Sequence, residues 1–430
     1  MRRRFLLSVT ITDLSGLVLS FAAANWLLLG SPYPWSVQLR GLAIGESVVP
    51  FGWILLGSGI AASLVSARTW VRSSPRPSYG RAFGIVAMTG SFAAIVIALV
   101  RPFYSNSLLG TTLAIWLGLA ITHRALRRRR PWSEAMIVIT EEKQLIDDLR
   151  NGAHADVVAV YDPSGEPPDA GALDGATLVV DLRPVLSDTM AQFVSSWDLA
   201  GLPVRSLVPT YEEHTGRMPI VHLAEGWELT APVSRNDYAN VKRALDVFLV
   251  TITAPLWLSL GAVLWAAVRL DSRGAAIYRQ ARVGKGGKLF VLYKFRTMIE
   301  DAERDGPQFA TADDSRLTRT GRWLRRFRID EVPQLWNVAK GDLSLVGPRP
   351  ERPVFTAQFE RTIPFYRYRH LVRPGVTGWA QVNYGYADGE ASTVDKLTYD
   401  LFYVKHMSPW LDAQILGKSV WTVLSGFGAQ

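Results

Sequence analysis

The sequence predicts a membrane protein of α plus α/β class, and three observations predict it. Four apolar stretches of roughly bilayer-spanning length fill the first 125 positions. Short β-branched runs then alternate with helical stretches up to residue 235. A further apolar run, Ala244 to Leu270, is interrupted by Pro255 and leads into an Arg-rich C-terminal region. The expected parts are a four-helix transmembrane bundle over 1–125 and a small doubly wound α/β domain over 126–235. An α-rich domain over 236–430 should follow, with a short β-hairpin and a re-entrant membrane helix at 244–270.

Composition narrows the class. The 430 residues are 48% hydrophobic and 20% charged, with 15 Trp, and mean hydropathy is +0.11. That is too apolar for an ordinary soluble enzyme and too charged for a pure transporter, so a membrane part joined to a water-facing part fits. With no cysteine, disulfides, Cys-ligated zinc and a cysteine nucleophile are excluded. The net charge of +9 does not argue for nucleic acid. Much of the excess flanks the apolar stretches, where positive-inside bias accounts for it.

The four spans are expected at about 5–30, 47–67, 82–100 and 103–122. The first follows Met1-Arg2-Arg3-Arg4 like a signal-peptide n-region, but its length and the second span close behind favour an uncleaved anchor. Basic residues cluster before span one, between spans two and three (Arg68, Arg72, Arg76, Arg81) and after span four (Arg124, Arg127 to Arg130). All three clusters then lie on one side, the cytoplasmic one. Spans two to four show no acid paired with a base, and Asp13 near the start of span one is expected at the interface. The bundle reads as an anchor and not as a transport path.

AMIVIT, DVVAVYD and ATLVVDL read as buried parallel strands, with EEKQLIDDLR and LSDTMAQFVSSWDLAG as helices between them. No glycine-rich dinucleotide loop follows the first strand. Thr140-Glu141-Glu142 stands there, and its acids would repel a pyrophosphate. A structural or assembly role is expected for this domain.

Ala244 to Leu270 is long enough to span, yet Lys242 and Arg243 precede it and Arg269, Arg273, Arg279 and Arg282 follow. Bases at both ends want one face, and Pro255 removes a helical donor and kinks the chain, so a hairpin entering and leaving by the same face is predicted. AAIYRQARV and KLFVLYKF then read as strands joined by Gly284-Lys285-Gly286-Gly287. That turn fails the spacing of a Walker loop. Arg279, Arg282, Lys294 and Arg296 are candidates for facing a diphosphate. Residues 301–316 read as a polar loop beside the site. The aromatic and basic mixture over 352–387 suits a membrane headgroup layer.

The densest chemistry lies in RFRIDEVPQLWNVAKGDLSLVGPRP, Arg326 to Pro350. Asp330 and Glu331 sit at the mouth of a short helix that Pro333 opens and Lys340-Gly341 closes. A helix N-terminus favours the ionised carboxylate that a nucleophile or metal ligand needs. Gly347-Pro348-Arg349-Pro350 is a rigid turn presenting a guanidinium shaped for phosphate, and Arg322, Arg325, Arg326 and Arg328 add positive charge upstream. Together these features describe a phosphate-handling site.

Six ordered blocks between Lys242 and about Gly426 carry a family resemblance: KRALDV, YRQARVGKGGKLFVLYKFRTM, DEVPQLWNV, GDLSLVGPRPE, RPGVTGWAQVN and YDLFYV. The region resembles the bacterial polyprenyl-phosphate glycosyl-1-phosphate transferases of the monotopic type. Larger members similarly carry four spans and a Rossmann-like module ahead of the enzyme. The resemblance implies transfer of a sugar-1-phosphate from a UDP-sugar to undecaprenyl phosphate, releasing UMP, as a first step of exopolysaccharide-type synthesis. It implies a covalent intermediate on Asp330, with Glu331 helping to hold Mg2+ or orient Asp330 and Arg349 taking phosphate charge. Asp400 and Tyr403 of YDLFYV, with Gln334 and Asn337, are second-tier candidates. The family often has Ser before the membrane proline, where this chain has Ala254, so a side-chain hydrogen bond at the break is expected to be lost. A homodimer is a reasonable partner state. Two other classes compete: a polytopic glycosyltransferase or transporter, which needs an intramembrane polar site, and a non-catalytic scaffold of polysaccharide assembly.

Overall fold

The computed structural model describes residues 2–30, 49–69, 79–100, 106–128, 133–152, 154–168, 176–220, 238–299, 302, 316–384 and 390–425. The chain divides into two units, Met1–Trp132 and Ser133–Gln430. Nearly all of the 301–316 loop lies outside the described residues.

The first unit contains helices α1 (Arg2–Leu29), α2 (Val49–Thr69), α3 (Tyr79–Val100) and α4 (Asn106–Arg128). Each contains a window long and apolar enough to cross a membrane. Within the bundle α1 packs on α2 and α4, and α3 on the same two helices. Close approach uses glycine: a Cβ on Gly59 would stand 2.6 Å from the Leu17 side chain. One expectation is corrected here. Asp13 is buried, and Arg124 donates to both of its carboxylate oxygens, at 2.9 and 2.8 Å. An isolated charge among packed apolar helices is costly, so the acid of the first helix takes the last helix's arginine. Trp116 Nε1 also donates to the Asp13 carbonyl, 2.8 Å away.

The second unit opens with a four-stranded parallel sheet in the order β2-β1-β3-β4: β1 Glu134–Ile139, β2 Ala155–Tyr161, β3 Thr177–Val180 and β4 Val204–Ser206. Helices α5 (Lys143–Arg150), α6 (Asp188–Leu199) and α7 (Leu207–Thr215) cover it. Strand alternation sorts β1 into two cores. Met136 and Val138 pack with Leu145, Leu149 and Tyr211, whereas Ile137 and Ile139 pack with Met190 and Trp197. Both faces are buried, which is why these strands read as continuous apolar runs. Beyond β1, Thr140 donates to Asp181 at 2.8 Å and Glu142 pairs with Arg183.

Two apolar helices follow, α8 (Tyr238–Ile252) and α9 (Ala254–Asp271), broken at Thr253. Helix α9 is the fifth segment with membrane-spanning length and hydropathy. Contrary to expectation, side chains do bond at the break. The Thr253 hydroxyl donates to the Leu249 carbonyl at 2.7 Å, and Trp257 Nε1 donates to that of Val250 at 3.0 Å. Pro255 and the missing Ser therefore leave a break that its neighbours satisfy. Val241, Phe248, Ile252, Leu256, Val263 and Leu270 expose apolar surface on the pair.

The remainder contains the antiparallel hairpin β5 (Ile277–Val283) and β6 (Leu289–Phe295), then α10 (Arg319–Arg326) and α11 (Gln334–Lys340). After them come β7 (Ser344–Val346), α12 (Pro353–Thr362), β8 (Gly375–Thr377), α13 (Trp379–Asn383), α14 (Glu390–His406) and α15 (Pro409–Ser425). Strands β7 and β8 pair in parallel. The aromatic-basic stretch turns largely inward: Tyr366 and Arg369 are buried and Phe359 packs on Tyr366 at 5.4 Å. Its aromatic rings complete the core around α14, which corrects the headgroup-layer expectation for them.

Candidate active site

Asp330 is set in place by a sharp corner. Helix α10 is capped by Thr318, whose hydroxyl accepts from Gly321 N. Two residues past its end stands Arg328, a non-glycine residue at φ +54°. This left-handed corner turns the chain into the 3₁₀ turn Ile329–Glu331. Asp330 faces inward at 8% exposure. Pro333 is the residue just before α11, which Gly341 (φ +98°) terminates.

The charges around Asp330 come from three directions. Lys294 lies on β6, Arg325 on α10, and Arg349 on the turn after β7; each holds the Asp330 pKa down. Burial and then Glu331 oppose them and win, pushing the Asp330 carboxyl up to about 6. Among the described residues no group donates a hydrogen bond to that carboxylate. Arg349 is aimed by its own bonds: Nη1 donates to Glu331 Oε1 at 3.0 Å, leaving the side chain 35% exposed. Burial lowers Lys294 to about 8, assisted by Arg325, Arg282 and Arg349 and opposed by Asp330. Its Nζ stands 5.0 Å over the Tyr278 ring.

The turn carrying Arg349 is locked to β8. Gly347 N donates to Thr377 O and Gly375 N to Pro348 O, both at 2.9 Å. A Cβ at Gly347 would meet the Arg373 carbonyl at 2.4 Å, so glycine is required for this approach. Arg282 braces the far end, donating to the Pro350 carbonyl at 2.9 Å and lying 3.5 Å from Glu351. Burial, then Arg349 and Arg352, bring Arg282 down to about 10 against the pull of Glu351.

The hairpin register separates the remaining basic candidates. Tyr278 pairs with Lys294 and Arg279 with Tyr293. Side chains alternate, so Arg282 and Lys294 share the site face and Arg279 points to the other, 5.9 Å from the Tyr293 ring centre. Arg296 lies beyond the strand and donates to both the carbonyl and hydroxyl of Ser272 at 2.8 Å, tying the hairpin to the end of α9.

Second-tier residues divide similarly. Asn337 accepts from Tyr293 N (3.1 Å) and donates to Val291 O (2.7 Å), stitching α11 to β6, and Gln334 is buried on the same face. The Tyr403 hydroxyl lies 2.8 Å from Asp412 and 3.1 Å from the Val346 carbonyl. Lys242 and Tyr238 reach the same Asp412 at 2.5 and 2.7 Å, forming a buried polar fastener. Asp400 is no helix cap: it sits within α14 and accepts from Arg369 at 2.8 Å. Burial raises Asp400 to about 6 despite Arg369. Arg369, legible in the sequence only as part of the aromatic and basic mixture over 352–387, also donates to the Arg349 carbonyl at 2.8 Å and to the Tyr366 hydroxyl. Arg325 was visible only as one member of a basic run.

The chemistry available is that of a recessed carboxylate with an adjacent acid and several cations around it, suited to an anionic phosphoryl group. The paired carboxylates also provide hard oxygen donors for a divalent cation, and the like-charge contact that raises Asp330 is one such an ion would relieve.

Comparison with known proteins agrees with this chemistry. Residues 237–426 match the family model described as bacterial sugar transferase. Over 267 residues the chain is 44% identical to a UDP-N-acetylgalactosamine-undecaprenyl-phosphate N-acetylgalactosaminephosphotransferase of Aeromonas hydrophila, covering 61% of this chain and 62% of that protein. It is 39% identical to a UDP-glucose:undecaprenyl-phosphate glucose-1-phosphate transferase of Xanthomonas campestris pv. campestris, over 47% of this chain and 42% of the relative. The match thus spans about half the length of these two relatives. A protein of the same description from Caulobacter vibrioides is 40% identical over 43% of this chain and 70% of its own length. The chain belongs to the bacterial sugar transferase family, the membrane-associated polyprenyl-phosphate sugar-1-phosphate transferases.

Proposed function

We propose that this protein transfers a sugar-1-phosphate from a UDP-sugar to undecaprenyl phosphate, yielding undecaprenyl-diphosphate-sugar and UMP. The observation that carries the reading is the recessed Asp330 carboxylate, flanked by Glu331 and faced by Lys294, Arg325 and Arg349. In the first step an Asp330 carboxylate oxygen attacks the sugar-bearing phosphorus. The bond from that phosphorus to the bridging oxygen breaks, UMP leaves with the electron pair, and an acyl phosphate joins Asp330 to the sugar phosphate. A lipid phosphate oxygen then attacks the same phosphorus and frees the Asp330 carboxylate. Arg349 and Lys294 offset the negative charge, while Arg282 braces the turn that carries Arg349. Asp330 and Glu331 would hold Mg2+, which supplies charge neutralisation to the phosphates when bound.

Helices α8 and α9 form a re-entrant pair in this reading, with the active site on the cytoplasmic face. Its support is that both ends are tied to neighbouring catalytic elements. Arg243 bonds the C-terminal carbonyls of α11 at 2.5 and 2.9 Å, Asp246 accepts from Leu345 N, and Arg296 of the hairpin holds Ser272. Since α11 is stitched to β6, a crossing helix pair would have to separate elements that touch. The four-helix bundle anchors the chain, the parallel-sheet domain is an accessory module, and the family's large form describes the architecture. A homodimer and a place at the first step of exopolysaccharide, capsule or O-antigen-type synthesis complete the proposal. The test is UMP release from a panel of UDP-sugars by purified protein with Mg2+, with and without undecaprenyl phosphate. Lipid-dependent release with one donor supports the reading; inertness with every donor favours the non-catalytic scaffold.

A further inference from the structure

We infer that the parallel-sheet region acts on the active site through α14, with Glu212 as a positioning residue for the transfer; the inference rests on the roles proposed above for Asp330 and Arg349. Glu212 lies on α7 and is buried. Its two carboxylate oxygens meet Lys405 Nζ at 2.7 Å and His406 Nε2 at 2.8 Å, both in the last turn of α14. A buried carboxylate deprived of such partners is strongly disfavoured, so this pairing pins the turn.

A second set of contacts is made about two turns upstream. Immediately after α7, Trp379 Nε1 donates to the Gly216 carbonyl at 2.8 Å, and Met218 N donates to Thr398 O at 3.1 Å. Arg217 lies 4.9 Å over the Tyr399 ring and pairs with Asp148 of α5 at 3.3 Å. Asp148 in turn accepts from the Tyr211 hydroxyl at 2.6 Å. The sheet region therefore holds α14 at residues 398–399 and again at 405–406, on either side of Asp400. From Asp400 the connection continues through Arg369 to the Arg349 backbone, and from the Arg349 guanidinium to Glu331. Packing is continuous as well: Met218 shares a core with Leu397, Leu401 and Val404. An accessory domain attached only as a tether would not need to bracket a helix that supports the Arg349 turn.

The test uses the full-length protein in lipid nanodiscs. Glu212→Gln preserves size and removes the charge, and Lys405→Met attacks the same contact from its more exposed partner. Each should lower kcat for UMP release about tenfold, with a smaller change in KM for the UDP-sugar. In an Arg349→Lys background each should cost no more than about twofold further, because the guanidinium they position is already gone. The same loss in both backgrounds, or no loss in either, would overturn the inference while leaving the transferase reading intact. A wild-type protein inert with every donor would overturn the functional reading and this inference with it.

Discussion

Replacing Arg369 with methionine tests the support beneath Arg349. The guanidinium is 7% exposed and donates to Asp400, the Arg349 carbonyl and the Tyr366 hydroxyl. Its loss leaves Asp400, at 3% exposure, without its cation. Breaking a buried pair in this way costs about 3–5 kcal/mol, including the Arg349 carbonyl left without its donor. Protonation limits the penalty. Asp400 already titrates near 6 beside Arg369, and it should titrate higher alone. A carboxyl raised above its unfolded value contributes stability at low pH that is lost as pH climbs through the folded pKa. The deficit of Arg369→Met should therefore be larger at pH 8 than at pH 5.5. Denaturant unfolding of the nanodisc-embedded protein, followed by tryptophan fluorescence, measures it at both values. A variant within about 1 kcal/mol of wild type at pH 8 would refute the claim that the pair is structurally committed.

Other outcomes follow from the site geometry. The pH profile of kcat/KM should fall on the alkaline side near 8, where Lys294 loses its charge. A rate that stays level well above that value would contradict the role given to Lys294. Arg349→Ala should lower kcat about 10²–10³-fold in the UMP-release assay, with Arg349→Lys intermediate. Gly347→Ala forces a Cβ against the Arg373 carbonyl; it should displace the Arg349 turn and reduce transfer at least about tenfold, measured beside a folding control. Arg279→Ala, on the far face of the hairpin, should leave UMP release within about twofold of wild type.

Local pattern made much of this protein legible. The apolar stretches, the β-branched runs around the parallel sheet and the glycine-joined hairpin each declare themselves within a few residues. The acid pair and the GPRP turn were visible for the same reason. What sequence concealed is pairing over distance. Asp13 and Arg124 are 111 positions apart, and Lys242 and Asp412 are 170 apart, so no window shows either as a partner. Arg369 stood among exposed-looking bases and aromatics, and only the fold reveals it as the support of Arg349. Strand alternation alone separates two of the candidates: Arg279 and Arg282 are an odd number of residues apart on one strand and cannot share a face. Arg296, Asn337 and Tyr403 carry motif chemistry but spend it on fastening strands and helices together.

The measurement closest to the central claim is a single-turnover experiment without lipid acceptor. Wild-type protein given the active UDP-sugar and Mg2+ should release about one UMP per site. Intact and peptide mass spectra should then locate the added sugar phosphate on the peptide containing Asp330. Addition of undecaprenyl phosphate should discharge it, and Asp330→Asn should show neither burst nor adduct. Lipid-dependent UMP release that proceeds at near wild-type rate in Asp330→Asn would contradict the account.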